Sequence, residues 1–481
     1  MKLIHPILII RILGTILFIG TLSFMICIPV ALIYNEPVLP FLGSAMIAGI
    51  TSLSLRLLSW KADLSGISAR DSFLTVSLSW ILLPAFGALP YIISQSIPSY
   101  TDAFFESVSG FSTTGASILT NIEILPYSVL FWRSLTHWIG GFGIVLLFLL
   151  ILPSLRVTGY QLFSLESSLK EKIHPKTKGI ALRILLIYTG LTLLETIFLV
   201  LGDMNLFDSL CHSFGTIATG GFSTKNISLE FYSPYSQYVV MLFMFLAGTS
   251  QVIYYHLVKR NFMKVKHNEE FWFYLAIVLV TGAIAASILL SETPRSPEEA
   301  IREGYFQVVS IITCTGFAND DFILWPQAGM MLLFLLMFSG GSMGSTSGGI
   351  KIGRHLLVIK NFRIVVTRLV HPNIYPALKL NGKLIDEKTN TSIISFILLY
   401  FFIFLVGTTF IVLNGSDPVT SATSVATCMA GIGPGLGTVG PMSNFSGLPG
   451  ISKITLSLVM IIGRLEIIPV FILFGKSFWK L

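Results

Sequence analysis

Four short stretches centred on glycine hold the chemistry this sequence offers: Thr113-Thr114-Gly115, Ala218-Thr219-Gly220, Cys314-Thr315-Gly316 and Gly431-Ile432-Gly433. They contain no acid–base pair and no metal-ligand cluster, so their useful groups are backbone carbonyls. Glycine reaches the left-handed backbone angles that turn successive carbonyls toward one axis. Rings of such carbonyls replace the hydration shell of an alkali cation in filters of the TVGYG kind. Gly431-Ile432-Gly433-Pro434-Gly435 is the nearest local match to that pattern. The four stretches recur 96 to 117 residues apart, and in the first two another glycine, Gly110 or Gly215, stands five residues earlier. A fixed recurrence of this kind marks an internal repeat. Two further candidates lie downstream. GGSMGSTSGGIK (340–351) is flexible and polar, with Gly, Ser or Thr at nine of twelve positions, and Arg464 interrupts the apolar run ITLSLVMIIGRLEIIPVFILF.

What must position these residues follows from composition. The 481-residue chain is 53% hydrophobic and only 11% charged, where a soluble protein carries about 25% charged residues. Apolar runs near 7–33, 38–58, 72–94, 128–152, 180–201, 236–258, 271–290, 328–360 (interrupted), 392–413 and 453–475 suit spans of about 20 residues each. The expected fold is an all-α polytopic membrane protein: four span–pore-helix–span repeats around one pore, plus two extra N-terminal transmembrane helices. Boundaries are expected at 1–60 for the extension and at 61–155, 156–262, 263–370 and 371–481 for the repeats.

Each glycine stretch follows a segment that reads as a short helix entering from outside. Asp102, Asp208, Asp417 and Ser296 are the expected N-caps. A helix of about eleven residues reaches some 16 Å, half the hydrocarbon thickness. It ends at mid-membrane with unpaired carbonyls and the negative end of its dipole. Non-helical backbone at that depth must line a wet cavity or be buried in protein.

Lys and Arg gather after the even-numbered spans: Lys170 to Arg183, Lys259 to Lys266, Arg354 to Lys388, and Lys476 with Lys480. The positive-inside rule makes that face cytoplasmic, with both termini inside. The net charge of +7 then reflects membrane topology and gives no reason to invoke nucleic acid. The first apolar run lacks a small-residue cleavage site and reads as a retained span. Cys27, Cys211, Cys314 and Cys428 lie in apolar or pore-like segments without metal-ligand spacing.

RSLTHWIGGFGIV (133–145), LPSLRVTGYQLFSLE (152–166), GPGLG (433–437) and GRLE (463–466), with the repeats and the two leading spans, resemble the TrkH-type pore subunit of the Trk/Ktr/HKT superfamily of potassium transporters. The resemblance covers essentially the whole chain. It implies potassium uptake across the bacterial cytoplasmic (inner) membrane, with K+ held at the four stretches and no organic cofactor in this chain. It also implies a homodimer in membrane lipid and a cytosolic nucleotide-binding regulatory protein of TrkA type as partner. Residues 340–351 become an intramembrane gate built on Gly340, Gly341, Gly344, Ser345, Thr346, Gly348, Gly349 and Lys351, with Arg464 set against it. Ala218, Cys314 and Gly431 depart from the family's repeated threonine. In HKT relatives a serine at the first filter glycine accompanies sodium transport, whereas all four positions here are glycine.

GGSMGSTSGGIK lacks the Lys-Ser/Thr ending of a phosphate-binding loop, and GGFG (140–143) sits inside a span, which argues against a nucleotide-hydrolysing enzyme. The nearer alternative is a proton- or sodium-coupled symporter, for which Glu195, Glu466, His137 and His212 are the relay candidates. Glu195 is expected to pair between spans.

Overall fold

The computed structural model describes residues 4–61, 68–146, 177–373 and 376–479. Most of the basic segment 153–183 and the LPSLRVTGYQLFSLE motif lie outside those residues. Among the described residues the chain is helical apart from one hairpin, Lys379–Leu380 with Lys383–Leu384.

Helices α1 (Pro6–Ile33) and α2 (Leu39–Leu58) form the N-terminal pair. Gly14 lets them approach closely, since a β-carbon there would lie 2.9 Å from Arg56 Cγ. Small residues at such crossings are the usual basis of helix packing in lipid. After them the order span, short helix, span recurs four times. It runs α3 (Ala69–Gly87), α4 (Tyr100–Phe111), α5 (Tyr127–Leu146); then α6 (Thr177–Val200), α7 (Leu206–Ile217), α8 (Pro234–Ala247) with α9 (Gln251–Val258). The third unit is α10 (Glu269–Glu292), α11 (Pro297–Ile312), α12 (Gln327–Leu336) with α13 (Ile352–Val370). The fourth is α14 (Glu387–Leu413), α15 (Pro418–Ala430), α16 (Gly450–Arg464) with α17 (Ile468–Phe471).

Among the described residues six helices are long and apolar enough to cross a membrane unbroken, or eight spans if each of two bent pairs counts as one. The large apolar side chains of α14 at Leu398, Phe402 and Leu405 point outward, unburied by protein, as lipid-facing residues do. The chain is a multi-pass membrane protein.

The bends were not expected from the sequence. Besides the interruption between α12 and α13, the sixth span turns by 94° between α8 and α9, and the tenth by 111° between α16 and α17. The second of these passes through Glu466 and Ile467, both at positive φ. Hydropathy reports apolarity, not direction, so a bent span and a straight one give the same run.

Two of the expected N-caps are shifted. Asp417 and Ser296 do cap α15 and α11, but α4 is capped by Ser99 and α7 by Asn205. Asp102 and Asp208 stand three residues inside, where a carboxylate still complements the positive helix end. Asp102 is engaged by Lys453 at 2.7 Å and Asp208 by Thr224 Oγ1 at 2.6 Å. The Lys453 contact, with Phe445 N–H bonding Ser117 O at 2.8 Å, ties the fourth unit to the first.

Candidate functional site

The four short helices end alike. The N–H groups of Thr114, Gly220, Thr315 and Ile432 reach back to the carbonyls of Ser109, Gly215, Ser310 and Thr427 at 2.9, 2.7, 2.8 and 2.9 Å. This is the six-to-one bond of a Schellman ending. The preceding residues are left-handed, as that ending requires: Thr113 (φ 52°), Thr219 (55°), Cys314 (57°) and Gly431 (76°). The following glycines, Gly115, Gly221, Gly316 and Gly433, are left-handed again at φ 80°, 80°, 82° and 92°.

These glycines interlock. A β-carbon on Gly115 would strike the carbonyl oxygen of Gly220, one on Gly221 that of Thr315, and one on Gly316 that of Ile432. One on Gly433 would lie 2.6 Å from Thr114 O. Each unit's glycine therefore abuts the next unit's middle carbonyl, and the fourth closes on the first. The result is a closed ring of carbonyls from Thr114, Gly220, Thr315 and Ile432. All four glycines also line one cavity of ≈ 100 Å³.

Beneath the ring lies the segment between α12 and α13. Gly340 N–H bonds Ile350 O at 2.8 Å, closing the loop at its base, and Ile352 N–H bonds Gly341 O at 3.1 Å. Gly344 and Gly349 take φ 77° and 64°. Ser345 Oγ donates to Ser342 O at 2.7 Å, and Thr346 Oγ1 to Ile217 O, the end of α7, at 3.1 Å. Gly348 sits against Ala430 O, the end of α15, with no room for a β-carbon. Lys351 is buried and donates to Ser347 O. Arg464 donates to Thr346 O at 2.7 Å and to Gly140 O at 3.4 Å. At Thr346, then, the third unit touches the second, the fourth and, through one guanidinium, the first.

The sequence matches the TrkH family of cation transport proteins over residues 43–480. The Trk system potassium uptake protein TrkH of Escherichia coli K12 is 35% identical over 98% of both chains. TrkI of Halomonas elongata, also named a Trk system potassium uptake protein, is 34% identical over 95% of this chain and 94% of its own. The crystal structure of the potassium transporter TrkH from Vibrio parahaemolyticus superposes with a TM-score of 0.90 at 29% identity, covering 99% of this chain and all of that one. This chain belongs to the TrkH family.

In this TrkH-family chain three of the four stretches fall in the ring as aligned by sequence. The second does not: its equivalents are Thr219, Gly220 and Gly221, one residue later than Ala218-Thr219-Gly220. Ala218 is the helix C-cap, corresponding to Ser112 and Thr313. Two things misalign the sequence there. The tandem Gly220-Gly221 offers two registers, and the spacing of Gly110 and Gly215 favours the wrong one.

The relay candidates separate. His212 lies inside α7, with Nδ1 on Asp208 O at 2.7 Å and Nε2 on Ser223 Oγ at 2.9 Å. Glu466 pairs with Arg354 at 2.6 Å. Glu195 is fully buried beside Thr216 and, against expectation, forms no ion pair among the described residues. His137 lies behind the ring against Gly220.

Sequence reasoning missed the braces. Glu106 on α4 accepts from Ser117 Oγ and Ile118 N–H, both at 3.0 Å, and from Arg133 Nε at 2.6 Å. Arg133 in turn donates to Ser223 O at 2.9 Å, joining the first unit to the second. His212 holds Ser223 in the same manner, and Gln307 Nε2 holds Asn319 Oδ1 at 3.2 Å. Glu106, His212 and Gln307 each stand eight residues before a middle ring residue. That spacing was readable, but three different residue types hid it. Glu270 was also missed: its Oε1 accepts the N–H groups of Met343 (2.7 Å) and Gly353 (3.1 Å), clamping both sides of the loop. Hydrogen bonds from Thr420, led by its side chain, hold the Asp417 carboxyl below the usual carboxylate range, so an anion caps α15.

Proposed function

We propose that this chain takes up potassium through the ring, which acts as a selectivity filter between four pore repeats bounded at 61–155, 156–262, 263–370 and 371–481. The observation that carries the reading is the closed carbonyl ring, found in a family whose relatives are named for potassium uptake. Four helix ends bring their negative dipole ends to the same place. In the ring the four carbonyls stand where a cation's hydration shell would be. Potassium is the transported ion and thus the substrate. Its filter residues are Thr113, Thr114, Gly115, Thr219, Gly220, Gly221, Cys314, Thr315, Gly316, Gly431, Ile432 and Gly433.

The loop 340–351 with Arg464 is the gate in this reading. Its contacts with all four units support a position across the axis, and a buried guanidinium opposes cation passage there by charge. A filter-lined path needs no coupled ion. At about 2.3 kcal/mol per charge per 100 mV, roughly 60 mV supports tenfold accumulation. With His212 and Glu466 committed to structural bonds, the coupled alternative keeps few relays. Regulation falls to a partner: exposed Arg363, Arg368, Lys379 and Lys388 give the inner face one sign, on which a cytosolic nucleotide-binding protein of TrkA type docks. Both termini face that side, and the chain works as a homodimer.

The test is monovalent-cation flux into liposomes holding the purified chain, comparing potassium, rubidium and sodium. Potassium and rubidium should pass and sodium lag. No flux of any cation would end the proposal, and reversal potentials that move with pH or sodium gradients would favour the symporter.

A further inference from the structure

The middle position of the ring carries a side chain in three repeats and none in the second. Thr114 Oγ1 bonds Ser112 Oγ at 2.7 Å, and Thr315 Oγ1 bonds Thr313 Oγ1 at 2.7 Å. Ile432 is fully buried. These side chains pin the backbone whose carbonyls form the ring. Gly220 keeps its helix-end hydrogen bond but has no side chain to pin it and is followed by a second glycine, so this quarter of the ring has the fewest side-chain restraints.

The space behind Gly220 is nonetheless full. A β-carbon there would collide with the imidazole of His137, on α5 of the first repeat, with Nδ1, Cγ and Cε1 as its three nearest atoms. The imidazole is fully buried and lies 4.1 Å from the Phe222 ring, nearly parallel at 13°. The Arg133 guanidinium lies 3.8 Å from the same ring centre. Two planar groups cannot share one face at those distances, so Phe222 is held between Arg133 and His137. Neither imidazole nitrogen has a hydrogen-bond partner among the described residues. Shape and stacking hold this ring in place, not a polar role.

We infer that His137 is the positioning residue for the second filter segment: its ring takes the volume that Thr114, Thr315 and Ile432 fill in the other repeats, and that filling sets the preference for potassium over sodium. The inference rests on the filter reading above. It assigns the second quarter of the filter to a side chain from the neighbouring repeat. Because Gly220 is not at positive φ, a threonine there is compatible with the backbone once the imidazole is gone.

The experiment is a compensation cycle on the full chain in liposomes, reading the rubidium-to-sodium flux ratio of monodisperse protein. His137→Ala should lower the ratio about tenfold, and Gly220→Thr alone should do the same by collision, on the scale of coupling between touching residues. The double variant Gly220→Thr with His137→Ala should recover most of the ratio, because the threonine then backs its own segment. His137→Phe, which keeps a ring there, should recover most of what His137→Ala loses. If either single variant yields too little folded protein, recovery of folded protein in the double variant supports the same pairing. The inference is overturned if the double variant is no more selective, or no better folded, than the worse single one. It is also overturned if His137→Phe behaves as His137→Ala. A parent chain without potassium preference would instead refute the filter reading itself, so the two failures are distinct.

Discussion

Glycine serves opposite ends in the ring at Gly115, Gly221, Gly316 and Gly433 and in the loop from Gly340 to Gly349. In the ring each glycine is confined by backbone atoms: the residue before it is bonded back to its own helix end, and a neighbouring carbonyl lies against it. No rotamer change can release it. In the loop, backbone contacts at Gly340, Gly341 and Gly348 are joined by side-chain bonds that can let go, those of Glu270, Arg464, Thr346 and Lys351. Even the carbonyls freed where α8 breaks are spent on it, since Gly248 O accepts from Ser342 N–H at 2.8 Å. The same residue type therefore serves an element held chiefly by backbone and another whose hold also depends on side chains. In the function proposed above, selectivity belongs to the first and gating to the second.

The largest expected effect breaks the ring. Gly115→Ser or Gly316→Ser places a β-carbon against a carbonyl at strongly positive φ. With strain of order 1–3 kcal/mol at such a position, potassium-over-sodium preference should drop on the order of a hundredfold. In the second repeat Gly221→Ser should match them. Cation-replacement currents for the set measure this, and unchanged selectivity in all of them would remove the ring from the filter role.

Next comes the loop. Deleting 344–348 should raise basal potassium flux at least about tenfold, the effect of some 1.4 kcal/mol off a barrier, while leaving the ion ratio alone. Tracer uptake without partner or nucleotide reads it, and a changed ratio would show that loop and ring are not separable. Arg464→Ala removes two hydrogen bonds from a charged donor, worth about 1.5–3 kcal/mol each, but leaves the loop in place. It should raise flux less than the deletion does. The smallest increase belongs to Glu270→Ala, which frees Met343 and Gly353 without touching Arg464. If Glu270→Ala exceeded Arg464→Ala in the same uptake assay, the clamp rather than the guanidinium would be the main hold on the loop.

How much of this was legible in the sequence depends on what each feature needs. The spans need only apolar length, and the four helix ends need only recurrent glycine, so the all-α repeat architecture could be read directly. The loop could be read because its composition contradicts its surroundings. Register was lost at Gly220-Gly221, where one glycine too many removes the landmark and only backbone angles restore it. Asp102 and Asp208 were read as caps because an acidic residue near a helix start fits either position. The braces Glu106, His212 and Gln307 escaped notice because each quarter of a single-chain ring can solve the same problem with a different side chain. The bends at Gly248–Ser250 and Leu465–Ile467 leave no mark on hydropathy at all.

The contact between Gly433 and Thr114 O has a consequence for how the protein is made. It joins residues 319 positions apart in the sequence, and the Lys453–Asp102 pair joins residues 351 apart. At about 5–20 residues per second, roughly 16 to 64 s separate synthesis of Thr114 from that of Gly433. Until then the first quarter of the ring stands open beside the bilayer with its carbonyl unopposed. The ring closes only when the last repeat joins the first, so a chain cut short anywhere before Gly433 is a partial ring.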